Sequence, residues 1–383
     1  MSLIGLDLNS TRVRAVMGPG EVPPRALSLD GQDGHLPMAI SLENRRPEVG
    51  KAGLALCRRL PHVTCTNFLA ELGERRQWGA GRKQIDSAKA LTLVFDQVRP
   101  ACKGAKGIVA SLPPYFNRVQ ADLASKLAEK SKLPWIGSMS SALAAGLAAH
   151  AEHHRGLTQP GSPLRTLILD VDDHALSWSA VEMGPERIFV VAEQSVPLLS
   201  LLAWKRRLLD GLAERCIRHS RRDPRDSGQA EQALFDQLDH VLDCAWQGQT
   251  AEAVVRAASW FQDLLLRPEE IMQLCAPLVR HTLKELTQVP NLNQDDKATW
   301  VLLTETAGRL PGLTPALQEW GDAGTEVSVL PPNALARAAH DLAARMVAGE
   351  IPHGHLDTTV PRAASLPDTR TTKKRKISIF GER

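Results

Sequence analysis

A chain of 383 residues exceeds the roughly 250–300 residues at which one hydrophobic core stops growing, so at least two lobes are expected. Its net charge of +3 is too small to indicate a nucleic-acid-binding protein, and it has no uncharged apolar run of the roughly eighteen residues that predict a membrane helix. The six cysteines are scattered without a CxxC pair, which favours free thiols in a reducing compartment. We therefore expect a cytoplasmic protein with no nucleic-acid or membrane partner.

The first predicted element is a β-hairpin. Residues 3–8 and 12–17 read as two short apolar strands, and the polar residues Asn9, Ser10 and Thr11 form the turn between them. This hairpin opens the first half of the chain.

The rest of the first half mixes strands and helices. Residues 107–113 are predicted to be a buried strand, 117–131 an amphipathic helix and 141–154 an Ala-rich helix. The turn-forming residues of 156–163 predict a linker, so a first lobe is placed at residues 1–163.

The second half begins as the first did. Residues 166–170 and 176–183 are predicted strands, and Asp172, Asp173 and His174 form the turn between them. A hairpin repeated at the start of each half indicates a duplicated α/β architecture.

Helices dominate the remainder of the second half. They are predicted at residues 199–220, 230–246 and 268–288, within a second lobe placed at 164–352. From 353 to 383 the composition turns to Thr, Pro, Ser and basic residues, which predicts a disordered basic tail.

Five segments, in order along the chain, resemble the nucleotide-binding domain of the heat-shock chaperone family of DnaK. The most specific is SLPPYFNRVQ at 111–120, which is similar to the "VPAYFNDAQ" stretch of that family. The others are SSALAAGLAAH at 140–150, RPEEIMQLCAPLVRHTL at 267–283, VLLTETAGRLP at 301–311 and PPNALARAA at 331–339. The resemblance implies a two-lobed, actin-like ATPase fold of duplicated ribonuclease-H-like lobes, with ATP and magnesium in the cleft.

The resemblance also implies a set of site residues. Asp7 and Asp170 match the family's acids that hold the metal through water, although either could simply cap a turn. Asn9, Ser10 and Thr11 match the first phosphate hairpin, and asparagine tolerates a left-handed turn better than most residues, which is compatible with phosphate binding by this loop. Arg309 matches the arginine that lies against adenine.

Other matched positions depart from the family's pattern. Asp172 and Asp173 stand where the family has phosphate-binding glycines, Leu201 and Leu202 replace another glycine pair, and Leu69 replaces the catalytic lysine. The family's helix glutamate becomes Ser141. Carboxylates repel phosphate, and leucine cannot stabilise a transferred phosphoryl group.

We therefore expect ATP or ADP with magnesium to bind weakly or not at all, and we retain no catalytic residue. The expected function is that of a scaffold or co-regulator that binds an unknown protein partner through its lobe surfaces. The alternative is an active Mg-ATP-binding chaperone ATPase module.

Three further features have alternative interpretations. Asp170, Asp172 and His174 alternate along one strand face, which suits a divalent metal as well as a plain polar turn. Trp246 is expected to pack between helices in preference to stacking on a base. Small residues around Gly146 are expected to pack the Ala-rich helix closely against the other lobe.

Overall fold

The computed structural model describes residues 2–20, 22–31, 34–153, 164–184, 186–257, 260–288, 300–321 and 325–361. These residues form a mixed α/β structure. Its strands are β1 (Ser2–Leu8), β2 (Arg12–Pro19), β3 (Arg25–Ala26), β4 (His35–Pro37), β5 (Ala39–Ser41), β6 (Glu48–Val49), β7 (Thr64–Thr66), β8 (Gln77–Trp78), β9 (Ile85–Asp86), β10 (Gly107–Leu112), β11 (Trp135–Ser140), β12 (Leu164–Val171), β13 (Leu176–Met183), β14 (Arg187–Val196), β15 (Ala251–Ala257), β16 (Trp260–Leu266), β17 (Trp300–Leu303), β18 (Glu326–Val329), β19 (Gly354–Leu356) and β20 (Thr359–Pro361).

The α-helices of the described residues lie between these strands, singly or in succession. They are α1 (Lys51–Leu54), α2 (Ser87–Val98), α3 (Arg118–Lys130), α4 (Ser141–His153), α5 (Leu201–Ser220), α6 (Gly228–Phe235), α7 (Leu238–Trp246), α8 (Pro268–Leu286), α9 (Glu305–Gly308), α10 (Leu313–Trp320) and α11 (Ala334–Val347). The helix expected at 230–246 is two helices, α6 and α7. None of the helices that the structure describes is both long and apolar enough to cross a bilayer.

Sheet I is built from the first half of the chain and the segment at 354–356. Its order is β19-β11-β10-β1-β2-β3, and β4 also pairs with β2. β1 and β2 form the predicted hairpin, while β1, β10, β11 and β19 run parallel. The central strands are buried almost throughout, as expected where helices cover both faces of a sheet.

Sheet II repeats this topology with the second half of the chain. Its order is β18-β17-β12-β13-β14-β20. β12 and β13 form the second predicted hairpin, and β12, β17 and β18 run parallel. In both sheets, therefore, the first strand of a hairpin pairs with a later parallel strand.

Helices α4 and α11 join the two sheets. At Gly146 of α4, an added Cβ would lie 3.2 Å from Ile188 of β14, which confirms the expected close packing against the second half. At Gly5 of β1, an added Cβ would collide with the backbone oxygen of Ala336 in α11. Although α11 lies within the second predicted lobe in sequence, it therefore packs directly on the sheet of the first.

The outer face of each sheet carries its own apolar core. The core on sheet I includes Leu69 and residues of α2 and α3, whereas the core on sheet II includes Trp204 and residues of α5 to α8. Five of the six cysteines are buried and Cys57 is half-buried, and all six are free thiols, as predicted.

Part of the predicted tail is ordered as strands. β19 pairs with β11 of sheet I, and β20 pairs with β14 of sheet II, where Val360 is fully buried. Composition alone suggested disorder from residue 353, but sheet edges with unpaired N–H and C=O groups stabilise these strands. The predicted linker at 156–163 and the remaining tail at 362–383 lie outside the described residues.

Candidate functional site

The turns of the two hairpins touch each other. The backbone N–H of Ser10, in the first turn, donates a hydrogen bond of 2.9 Å to Oδ2 of Asp172 in the second turn. Both residues are buried. The two halves of the chain are thus linked directly at the point where the resemblance implies a phosphate.

The carboxylate of Asp172 is saturated with hydrogen bonds. Its Oδ2 accepts from Ser10 N–H and from the hydroxyl of Tyr115, while its Oδ1 accepts from the N–H groups of His174 and Ala175 at 2.9 and 3.0 Å. Tyr115 also lies 2.7 Å from Ser10 Oγ. Four donors around one carboxylate form the kind of site in which an anion is stabilised.

Asp173 and Thr11 form a second contact between the turns. The N–H of Asp173 donates to Thr11 Oγ1 at 2.9 Å, and the hydroxyl of Thr11 donates to Oδ1 of Asp173 at 3.2 Å. Burial raises the pKa of Asp173 to about 6, against the opposing effect of Lys205.

The two acids that match the family's metal residues lie near one another. Burial raises the pKa of Asp7 to about 6, and the neighbouring Asp170 contributes to that rise while Arg12 opposes it. Burial likewise raises the pKa of Asp170. Asp170 accepts hydrogen bonds from Thr304 at 2.9 Å and Ser141 at 3.2 Å, one on each oxygen.

Asn9 shapes the first turn through its side chain. Its Oδ1 accepts hydrogen bonds from the N–H groups of Thr11 and Arg12, both at 3.0 Å. It is not among the described residues with positive φ, so it does not use the left-handed conformation that asparagine tolerates. The asparagine oxygen satisfies the turn instead.

A charged bridge spans the two halves beside the turns. Arg14 of β2 forms an ion pair of 2.5 Å with Glu305 of α9, and Arg12 lies 3.3 Å from the same carboxylate. Arg12 also donates to the hydroxyl of Thr306. The carboxylate of Glu305 therefore adds a link between the halves that the resemblance did not imply.

Arg309 is held by carboxylates of α7. Its Nε lies 2.6 Å from Asp243, and its Nη2 donates to the backbone oxygen of Asp239 at 3.1 Å. Asp239 also pairs with Lys205 at 2.8 Å, and Lys205 is almost fully buried. The arginine that the resemblance places against adenine is therefore engaged in ion pairs.

A third link connects α1 with α6. Oε1 of Gln232 accepts from the backbone N–H of Arg58 at 2.7 Å and of Arg59 at 3.2 Å, and its Nε2 donates to the backbone oxygen of Leu54 at 3.0 Å. The guanidinium of Arg58 lies 4.6 Å from the centre of the Phe235 ring. We call these residues the Gln232 clasp.

A cavity of about 490 Å³ lies among these links, lined by both halves of the chain. Thr11, Asp173 and Arg309 are in its wall, whereas Leu69 lies in the core of sheet I. Of the predicted site residues, Asp7, Asn9, Ser10, Thr11 and Asp170 thus come together at the turns, and Arg309 lines the cavity.

The residues at the turns do not fit a nucleotide phosphate with its metal. The donors that would face a phosphate are taken by Asp172, and both oxygens of Asp170 already accept hydrogen bonds. No group of three or more His, Cys, Asp or Glu side chains suited to a metal occurs in the described part of the chain. Asp170 lies in strand β12, whereas Asp172 and His174 lie in the turn that follows it.

Sequence reasoning assigned no role in the site to three of its residues: Tyr115, Glu305 and Gln232. Tyr115 lies within the most specific motif and is the only tyrosine of the chain, a signal that could have marked it.

Trp246 was expected to be packed, which is wrong, because its side chain is 51% exposed at the end of α7. No protein-family model matches the chain, and no curated protein matches it.

Proposed function

We propose that this chain is a DnaK-like protein of the actin-like fold, with a degenerate nucleotide site, that acts as a non-hydrolysing scaffold or co-regulator. Its two halves are held together by its own side chains in place of a nucleotide. The observation that carries this proposal is the Asp172 carboxylate, which takes the donors of both hairpin turns.

The repeated strand order supports the fold part of the proposal. A hairpin followed by parallel strands, present once in each half and joined through α4 and α11, is the arrangement expected of duplicated ribonuclease-H-like lobes. Because a fold hosts many functions, the functional part depends on the site residues alone.

The chemistry of the site supports a non-hydrolysing role. Phosphoryl transfer depends on cations and positioned groups around the transferred phosphate. Leu69, at the position matched to the catalytic lysine, is 1% exposed in an apolar core. Ser141, matched to the helix glutamate, donates its hydroxyl hydrogen bond to Asp170.

Three independent links across the cavity support the scaffold role. They are the contacts between the turns, the Arg14–Glu305 ion pair and the Gln232 clasp. A protein that fixes its halves without ligand presents constant outer surfaces, which suits a partner-binding role. The partner is a protein that docks on those surfaces.

The test is a calorimetric titration of the full chain with Mg-ATP and Mg-ADP, together with a phosphate-release assay. We expect no saturable binding at about millimolar nucleotide and no turnover above buffer. An active DnaK protein serves as the positive control. Micromolar binding of Mg-ATP, with turnover that Asp7→Ala abolishes, would establish the alternative of an active ATPase module.

A further inference from the structure

The cavity between the halves is large enough for a small organic molecule. Its volume of about 490 Å³ falls within the roughly 300–1,000 Å³ typical of ligand sites. Residues of α1, α5 and α6 line the cavity, whereas Asp172 at the hairpin turns does not. What this space can hold follows from its charges and its apolar wall.

The charges of the wall favour an anion. Six basic residues and four acidic residues line the cavity, which leaves an excess of two positive charges. Four of the basic residues, Arg12, Arg14, Lys205 and Arg309, are paired with carboxylates at 3.3 Å or less. The other two basic residues have no such close ion pair among the described residues.

Arg58 and Arg206 are these two residues, and they come from different halves of the chain. Arg58 is 3.8 Å from its nearest carboxylate, Glu231, and its buried Nε has no hydrogen-bond partner. Arg206 of α5 is exposed, and its guanidinium has no hydrogen bond or ion pair within the described residues. Planar guanidinium groups match carboxylates in both geometry and charge.

The wall beside these arginines is apolar. Met38, Leu54 and Leu202 line the cavity, and the ring of Phe235 holds the Arg58 guanidinium in place. A hydrocarbon or aromatic body placed here would remove this surface from water.

We infer that the cavity binds a small organic acid, with its carboxylate between Arg58 and Arg206 and its apolar body against Leu54 and Leu202. The inference rests on the proposed function, because it takes the turn region as occupied by Asp172. The ligand is a compact monocarboxylate, and its binding adds one more link between the two halves.

The experiment is calorimetric titration of the full chain with 3-phenylpropionate at low salt. We expect saturable binding in the low-millimolar range or tighter, and weaker binding of its neutral amide and of inorganic phosphate. Arg206→Gln should weaken binding about tenfold or more, because a hydrogen bond to a charged group is lost. Arg218→Gln, an exposed arginine of the same helix that does not line the cavity, should leave binding unchanged.

Each outcome decides the inference. Absence of saturable binding at about 10 mM, equal binding of the amide, or unchanged affinity in Arg206→Gln would overturn it. Mg-ATP is titrated separately. Tight binding of Mg-ATP contradicts the proposed function, whereas failure of 3-phenylpropionate alone contradicts only the organic-acid site.

Discussion

Ser10 donates its backbone N–H to the carboxylate of Asp172 at 2.9 Å, although 162 positions separate the two residues. The same oxygen accepts from Tyr115, so one carboxylate joins the first turn, the second turn and the loop after β10. An aspartate that would repel a phosphate thus stabilises the contact between the hairpins.

The ionisation of Tyr115 tests this contact. Burial first, and then the charge of Asp172, raise the pKa of Tyr115 well above its ordinary value of 10.0. Since Tyr115 is the only tyrosine, absorbance at about 295 nm reports its phenolate alone. We expect no phenolate signal until the protein unfolds in alkali, and a lower pKa in Asp172→Asn.

Asp263→Asn, which alters an exposed carboxylate outside the cavity, is the matched control and should leave the titration unchanged. A wild-type transition near pH 10 would contradict the buried Tyr115–Asp172 contact.

The pKa of Asp7 predicts how stability changes with pH. Burial raises this pKa from 3.8 to about 6 in the folded protein, so the folded state binds the proton more tightly than the unfolded state. The stabilising effect of this proton is present at low pH and is lost as pH rises through about 6. Lowering the pH from about 7 to 5 should therefore increase the contribution of Asp7 to the free energy of unfolding by about 1 kcal/mol.

Urea denaturation of wild type and Asp7→Asn at both pH values measures this contribution. In Asp7→Asn the change between the two pH values should be smaller by about 1 kcal/mol, and the variant should be more stable than wild type at neutral pH. Identical pH dependence in the two proteins would contradict a raised pKa for Asp7.

The two hairpins were predictable because short apolar runs around polar turns are a local signal. The contact between the two hairpins was less predictable. The sequence marked Asp172 and Asp173 as groups that oppose a phosphate, but the bonds from Ser10 and Tyr115 depend on tertiary packing that no local pattern encodes. Gln232 gives no signal either, because the N–H groups of Arg58 and Arg59 and the backbone oxygen of Leu54 that it bonds lie far away in the chain.

The errors have similar physical causes. The strands at 354–356 and 359–361 carry a composition typical of disorder, but pairing with the edges of two sheets and burial of Val360 stabilise them. Trp246 ends an amphipathic helix, and its periodicity did not reveal that the last turn extends beyond the core.

Gly146 provides a test of the packing between the sheets. Its Cβ position lies 3.2 Å from Ile188 and 3.6 Å from Val181, so a leucine side chain has no space there. Gly146→Leu should lower the free energy of unfolding by about 1–3 kcal/mol, seen as a lower melting temperature. Gly34→Leu is the control, because nothing lies within 4 Å of its Cβ position. Equal melting temperatures for wild type and Gly146→Leu would contradict the close packing of α4.

The Gln232 clasp predicts a local change in amide protection. Gln232→Ala leaves the N–H groups of Arg58 and Arg59 without their acceptor and should cost about 1–3 kcal/mol. Hydrogen exchange at residues 58 and 59 should become faster. Gln237→Ala is the matched control, since Gln237 bonds only within the second half, to Ala233 and Val254.

The control should lose stability without faster exchange at residues 58 and 59. If both variants accelerate exchange there equally, the clasp does not hold the two halves together, and general destabilisation explains the effect.

Nucleotide affinity tests whether the two carboxylates of the second turn exclude phosphate. Asp172→Gly combined with Asp173→Gly removes two carboxylates and frees the N–H of Ser10 together with the N–H groups of the second turn. Because two like charges about 4 Å apart repel by about 4 kcal/mol at an effective dielectric near 20, the double variant should bind Mg-ATP at least tenfold more tightly than wild type. Hydrolysis should not return, since Leu69 and Ser141 are unchanged.

Glu252→Ala with Asp263→Ala, which removes two exposed carboxylates that do not line the cavity, is the charge-matched control and should bind as wild type does. Equal affinity in the glycine variant and wild type would show that Asp172 and Asp173 are not what excludes the phosphate.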